Sequence, residues 1–188
     1  MSITINEIES GIGLLIDDQI YMVLDYQHVK PGKGSAFVRV RMKNLKTSSV
    51  IERTFRSAEK LDDIPLDEKR LEFLYRSGDE FHFMDHESYE QMVVPHELLG
   101  DNDRFLLENL QVTGLFHEHR VLKVILPNFI TTEIVGTETG VRGDSTRAGT
   151  KPATIQTGAS IQVPLFINIG DRIKIDTRTG DYVERVQR

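Results

Sequence analysis

The alternation of apolar and polar residues along this 188-residue chain is that of short strands, with almost no helical periodicity. Residues 20–24 (Ile-Tyr-Met-Val-Leu) form an apolar run of the kind a buried strand shows, and residues 37–43 alternate with period two. In the second stretch Val38, Val40 and Met42 are expected to face a core, while Arg39, Arg41 and Lys43 share the opposite face. Between the two runs lie Lys30, Pro31, Gly32, Lys33 and Gly34, whose Pro-Gly pair and second glycine are turn chemistry. A hairpin is predicted, with Lys33 at its solvent-facing tip.

A second unit begins after the acidic, proline-marked stretch 62–65, with strands over 71–75 and 80–84 joined at Ser77, Gly78 and Asp79. Residues 97–110 are the best place for a short helix or helical turn, 115–126 return to strand, and Pro127 and Asn128 mark a boundary. In the third unit, strands over 161–167 and 172–176 flank a turn at 168–171. Gly78-Asp79 and Gly170-Asp171 each precede alternating apolar residues, a weak hint of two related barrels. Many short strands separated by turn signals favour small barrels. The expected organisation is all-β, with domains at 1–64, 65–127 and 128–188.

Composition narrows the function. With 39% hydrophobic and 28% charged residues the chain is a folded protein. It has no cysteine, which excludes disulfides, thiolate metal sites and thiol nucleophiles, and fits a reducing cytoplasm. The N-terminus lacks a basic and an apolar signal region, and no apolar run approaches the roughly 20 residues needed to cross a bilayer. A soluble cytoplasmic protein with no membrane contact is expected. The net charge of −6 disfavours a nucleic-acid partner, but its distribution does not. Residues 27–51 hold six basic residues and no acidic ones, whereas residues 59–108 hold fifteen acidic and five basic. One face can therefore meet phosphates while the remainder repels them.

Residues 27–39, Gln-His-Val-Lys-Pro-Gly-Lys-Gly-Ser-Ala-Phe-Val-Arg, resemble the bacterial elongation factor P family. The similarity continues in order through 44–47, 52–56, 73–75, 83–85 and 89–91, and is strongest at 149–154, 163–168 and 176–180. For the 30–34 loop alone an ordinary turn is the better reading; the chain-wide resemblance reverses that. It implies an N-terminal KOW-like (SH3-like) barrel followed by two OB-fold barrels, in an L-shaped arrangement like transfer RNA. It also implies a monomeric factor that binds the 70S ribosome between the P and E sites, touching ribosomal RNA and the P-site peptidyl-tRNA. There it would promote peptide-bond formation where the ribosome stalls on consecutive prolines.

By the same resemblance the working residue is Lys33, flanked by Lys30, Pro31, Gly32 and Gly34. Its ammonium supplies three donors suited to the phosphate and ribose oxygens of the transfer-RNA CCA end. In the family an enzyme often lengthens this side chain. The tip resembles members with an aminopentanol-type group, except that Ser35 follows Gly34, and the modification of Lys33 stays open. No other cofactor is implied. The role is positional, with the ribosome supplying the chemistry and no catalytic residue in the chain.

Lys30, Arg39, Arg41, Lys43 and Lys46 are candidates for contacts with the RNA backbone, each equally readable as a plain surface charge. Residues 143–149, including Gly143, Asp144, Ser145 and Arg147, correspond to the loop that reaches the small subunit near the E-site codon. Ser145 stands where the family commonly has threonine. Tyr182 and Arg185 match positions that approach the P-site transfer-RNA stem.

Other signals carry less. Arg142-Gly143-Asp144 spells an integrin tripeptide by coincidence, and residues 143–151 imitate a phosphate loop with the wrong spacing. His82 with His86, and His117 with His119, read as exposed strand residues rather than metal ligands. An OB-fold single-strand binder would interleave exposed aromatics with basic residues, yet tryptophan is absent and aromatics are only 7%. A paralogous ribosomal factor is the rival within the same class.

Overall fold

An extended backbone turns period-two alternation into two faces, and this chain uses that conversion throughout. The computed structural model describes residues 2–32, 34–138 and 149–186. Packing divides the chain into two compact units, residues 1–69 with 114–124 and residues 70–113 with 125–188.

The first sheet contains β1 (Ser2–Ile3), β2 (Gly13–Ile16), β3 (Gln19–Val29), β4 (Phe37–Asn44), β5 (Val50–Arg56) and β6 (Leu61–Ile64). Its order is β1-β6-β2-β3-β4-β5, antiparallel at every pair. Val38, Val40 and Met42 are each 0% exposed and pack with Ile5, Ile8, Leu14, Val23 and Phe55. Burying a side chain of this size contributes about 1.5–3 kcal/mol. Arg39 and Arg41, on the other face of the same strand, are exposed and Lys43 half-buried. The predicted hairpin is present, with β3 running well past the expected 20–24.

The second sheet contains β7 (Asp67–Ser77), β8 (Glu80–Asp85), β9 (Gln91–Pro95), β10 (Gln111–His117) and β11 (Arg120–Ile125), in the order β11-β10-β7-β8-β9. The third contains β12 (Phe129–Thr137), β13 (Thr150–Ile155), β14 (Ser160–Pro164), β15 (Arg172–Asp176) and β16 (Asp181–Arg185), in the order β14-β13-β12-β15-β16. Counted within each sheet, both orders are the same: the first strand is central, flanked by the second and fourth. This is the five-stranded Greek-key plan of an OB-fold, used twice. The Gly-Asp likeness does not mark it, because Gly78-Asp79 leads into the second strand of one sheet and Gly170-Asp171 into the fourth of the other.

Two local expectations are refined. Residues 97–110 form no α-helix; two short 3-10 segments, His96–Leu98 and Gly100–Phe105, take its place. Pro95 precedes the first, and Gly100 at φ 62 interrupts any continuation. Residues 115–126 are not one strand but the hairpin β10–β11, turned at Glu118 (φ 47) and His119 (φ 67). Two consecutive left-handed residues suit a type I′ turn, yet the usual Asn-Gly or Asp-Gly signal is missing from the sequence.

Three hairpins close on one device. Asn44 Oδ1 accepts the backbone N–H groups of Lys46 and Thr47 at 2.8 Å, and Ser48 N donates back to Asn44 O at 2.9 Å. Asp85 does the same for Glu87, Ser88 and Tyr89, and Asp176 for Arg178 and Gly180. In each the fifth residue is left-handed: Ser48 (φ 61), Tyr89 (φ 59) and Gly180 (φ 80). A short acceptor side chain thus closes all three loops, and in the first two it does so without a glycine at the left-handed position.

The two faces of β4 predict opposite mutational responses. Met42→Ala should cost about 2–5 kcal/mol through the cavity it leaves. Arg41→Ala should change stability by less than about 0.5 kcal/mol. Urea unfolding of both variants measures the contrast.

Candidate nucleic-acid interface

The hairpin of β3 and β4 presents the sequence-predicted loop. Its strands pair from Tyr21 opposite Asn44 to Val29 opposite Phe37, with a bulge between Val23 and Asp25. Lys30, Pro31, Gly32 and Gly34 are exposed on the loop. The two glycines differ in what they do. Gly34 has φ 108, a conformation that strains any residue with a Cβ, whereas a Cβ on Gly32 would meet open space. Only Gly34 is demanded by the described backbone. At the loop base Ala36 O accepts Ser57 N at 3.3 Å and Ser57 Oγ at 3.0 Å, tying the hairpin to the end of β5.

The outer face of this sheet is read off the register. Arg39 lies opposite Gln27 and Thr54, Arg41 opposite Asp25 and Glu52, and Lys43 opposite Met22 and Val50. Strand pairing therefore brings in two carboxylates that the acid-free stretch 27–51 conceals. Arg39 Nε lies 3.4 Å from Glu52 Oε1, with both side chains about half exposed. Positive charge is consequently least compensated at the two ends of β4. Lys30 and Arg56 stand at the loop end, Arg56 being opposite Phe37, and Lys43 and Lys46 at the turn end. Arg56 escaped the sequence reading because its place depends on the register of β5, although period-two continuation from Glu52 could have found it.

Tyr182 and Arg185 are on β16, opposite Ile175 and Ile173. Arg185 Nη1 is 3.8 Å from Asp171 Oδ2, and its guanidinium lies 5.6 Å from the centroid of the exposed Phe166 ring. Tyr182 is half-buried. The turn before β16 is fixed by Arg178, which chelates Asp176 through Nε–Oδ1 at 2.9 Å and Nη2–Oδ2 at 2.5 Å. Those side-chain bonds, above all, hold the Asp176 carboxyl down at about 2. Lys33, Gly143, Asp144, Ser145 and Arg147 lie outside the described residues.

The remaining sequence signals acquire local partners. Lys151 is 6% exposed and donates to Glu138 O at 2.8 Å, so its ammonium is engaged by the backbone rather than aimed at a ligand. The His82 ring stacks on Tyr75 at 4.4 Å, and His117 Nδ1 is 3.0 Å from Pro65 O. Among the described residues no group of three or more histidines and carboxylates is placed to hold a metal ion, and no helix is long and apolar enough to cross a membrane.

Replacing Arg178 by methionine should raise the Asp176 pKa from about 2 toward its ordinary 3.8. The backbone N–H bonds to the carboxylate should keep it from reaching the ordinary value in full. A carbonyl-detected NMR titration of the two proteins reads this directly, and an unmoved midpoint would assign the shift to the backbone instead.

Comparison with known proteins identifies the family of the chain. The description "Elongation factor P (EF-P) KOW-like domain" matches residues 4–61, "Elongation factor P (EF-P) OB domain" matches 66–124, and "Elongation factor P, C-terminal" matches 130–185. The chain is 46% identical over 184 residues to elongation factor P of Caldanaerobacter subterraneus subsp. tengcongensis, covering 98% of this chain and 100% of that one. It is 45% identical over 185 residues to elongation factor P of Natranaerobius thermophilus, covering 98% of each. Among solved structures, "Eukaryotic translation initiation factor 5A from Methanococcus jannaschii" is 22% identical with a TM-score of 0.48, covering 66% of this chain and 94% of that one. The full-length matches and the three domain matches in order show that the chain belongs to the elongation factor P family, whose members are translation factors and not enzymes.

Proposed function

We propose that this translation factor binds the 70S ribosome between the P and E sites and uses Lys33 to hold the P-site peptidyl-tRNA in a reactive geometry. It thereby relieves stalling at consecutive prolines. The observation that carries this reading is the hairpin: eight residues of β3 paired with β4 support an exposed loop in which, among the described residues, only Gly34 requires a glycine. An arm whose strand β4 is paired on both sides, by β3 and by β5, loses little conformational freedom when it docks, which suits a positional role. The CCA end is the target of the tip, and Tyr182 and Arg185 belong to the contact with the transfer-RNA stem. Residues 143–147 reach the small subunit in this proposal. The working divisions are residues 1–64, 65–127 and 128–188, and the factor acts as a cytoplasmic monomer.

Covalent extension of Lys33 by a dedicated enzyme belongs to the same proposal, because the distance a tip can reach sets which atoms it can order. Basic residues on the outer face of β4 supply contacts to ribosomal and transfer RNA that position without reading sequence. The acidic stretch 59–108 then faces away from RNA phosphates or is screened from them.

Lys33→Ala should abolish rescue of a consecutive-proline message in reconstituted translation, while circular dichroism and thermal unfolding stay unchanged. A message without prolines should be translated equally with either protein. Undiminished rescue by the variant would remove Lys33 from the mechanism.

A further inference from the structure

The turn between β4 and β5 gathers three lysines that the fold itself does not neutralise. Lys123, from β11, donates through Nζ to Leu45 O at 3.2 Å and to Ser48 Oγ. Lys43 ends the outer face of β4 just before this turn, and Lys46 is exposed on the turn itself. Among the described residues none of the three forms an ion pair with a carboxylate. Burial first, and then the Lys43 charge, push the Lys123 ammonium below its ordinary pKa. A methionine would fill similar space without desolvating a charge beside a like charge. What the lysine adds is a donor pinned in place by a carbonyl and a hydroxyl, with capacity for a third bond.

We infer that Lys43, Lys46 and Lys123 form a phosphate-binding site at the β4–β5 turn that takes a phosphodiester of an RNA backbone. An arriving phosphate would relieve the repulsion between Lys43 and Lys123 and occupy the remaining donor. The surrounding Thr47, Ser48 and Ser49 are exposed and bring hydroxyls to the same turn. Farther along the same face Arg41 and Arg39 stand beside the carboxylates of Asp25 and Glu52, so the uncompensated charge is concentrated at this turn. A phosphodiester, whose oxygens accept from several ammonium groups at once, fits three clustered lysines with exposed hydroxyls beside them. This assignment rests on the ribosomal reading above for its biological setting, but the site can be tested without a ribosome.

The probe is a short single-stranded RNA oligonucleotide added to the full chain, with binding measured against salt concentration. Replacing one phosphate-contacting lysine should lower the slope of log affinity against log salt by about 0.7, and replacing three by about 2. Lys123→Gln should give the first result, the triple variant with Lys43→Gln and Lys46→Gln the second, and Lys123→Arg should keep the original slope. Amide NMR shifts on RNA addition should centre on residues 43–49 and 121–124. Lys69→Gln, in the acidic stretch, serves as the control and should leave the slope unchanged. An unaltered slope for a folded Lys123→Gln protein would overturn the site, as would tighter binding of polyglutamate than of RNA at equal ionic strength. If the oligonucleotide results hold while the chain fails to bind ribosomes, the site stands and the ribosomal reading falls.

Discussion

The structure depends on the antiparallel register between β3, β4 and β5. Because side chains alternate along a strand, this register decides at once which residues make a core and which face outward. Val38, Val40 and Met42 go in; Arg39, Arg41 and Lys43 go out. A slip of one residue would bury three charges and expose three apolar side chains, so burial of the core locks the basic face. The described loop residues 30–32 and 34–36 inherit their position from the same ladder, which holds the two ends of the hairpin at Val29 and Phe37. The core face and the basic face therefore rest on one set of backbone hydrogen bonds, although side chains on the outer face can be changed without disturbing the core.

The rest of the molecule repeats a small vocabulary. Two five-stranded sheets share a strand order, and three hairpins close on Asn44, Asp85 and Asp176 in the same way. Asn44 and Asp85 are nearly fully buried, so the hydrogen bonds they accept offset the desolvation of their polar groups. At the first of these turns the closing device also shapes a surface. Asn44 fixes the backbone onto which Lys123 docks, which places charge from β11 beside charge from β4.

Much of this was legible in the sequence where chemistry is local. The period-two run 37–43 revealed its faces, and the glycines around position 33 revealed a loop. Residues 97–110 are expected to hold a short helix or helical turn, and they hold helical turns only: Gly100, at φ 62, separates two short 3-10 segments. The β10–β11 hairpin was hidden because its left-handed turn residues are Glu118 and His119, in place of the Asn-Gly or Asp-Gly pair that signals such a turn. The acids facing Arg39 and Arg41 were hidden because they come from neighbouring strands, beyond the stretch 27–51. Lys123 was invisible for the same reason: nothing in its own segment tells that it ends beside Leu45. What sequence reading misses here is pairing across strands, and it changes the site more than the fold.

The central claim is that residues 30–34 reach the CCA end of the P-site transfer RNA. The chain has no cysteine, so a single Ser35→Cys substitution provides one attachment point for a tethered iron chelate. Hydroxyl radicals released from that position on a ribosome carrying P-site transfer RNA should cleave its 3′ CCA end and adjoining acceptor stem. Cleavage confined to other RNA, with the CCA end intact, would contradict the account.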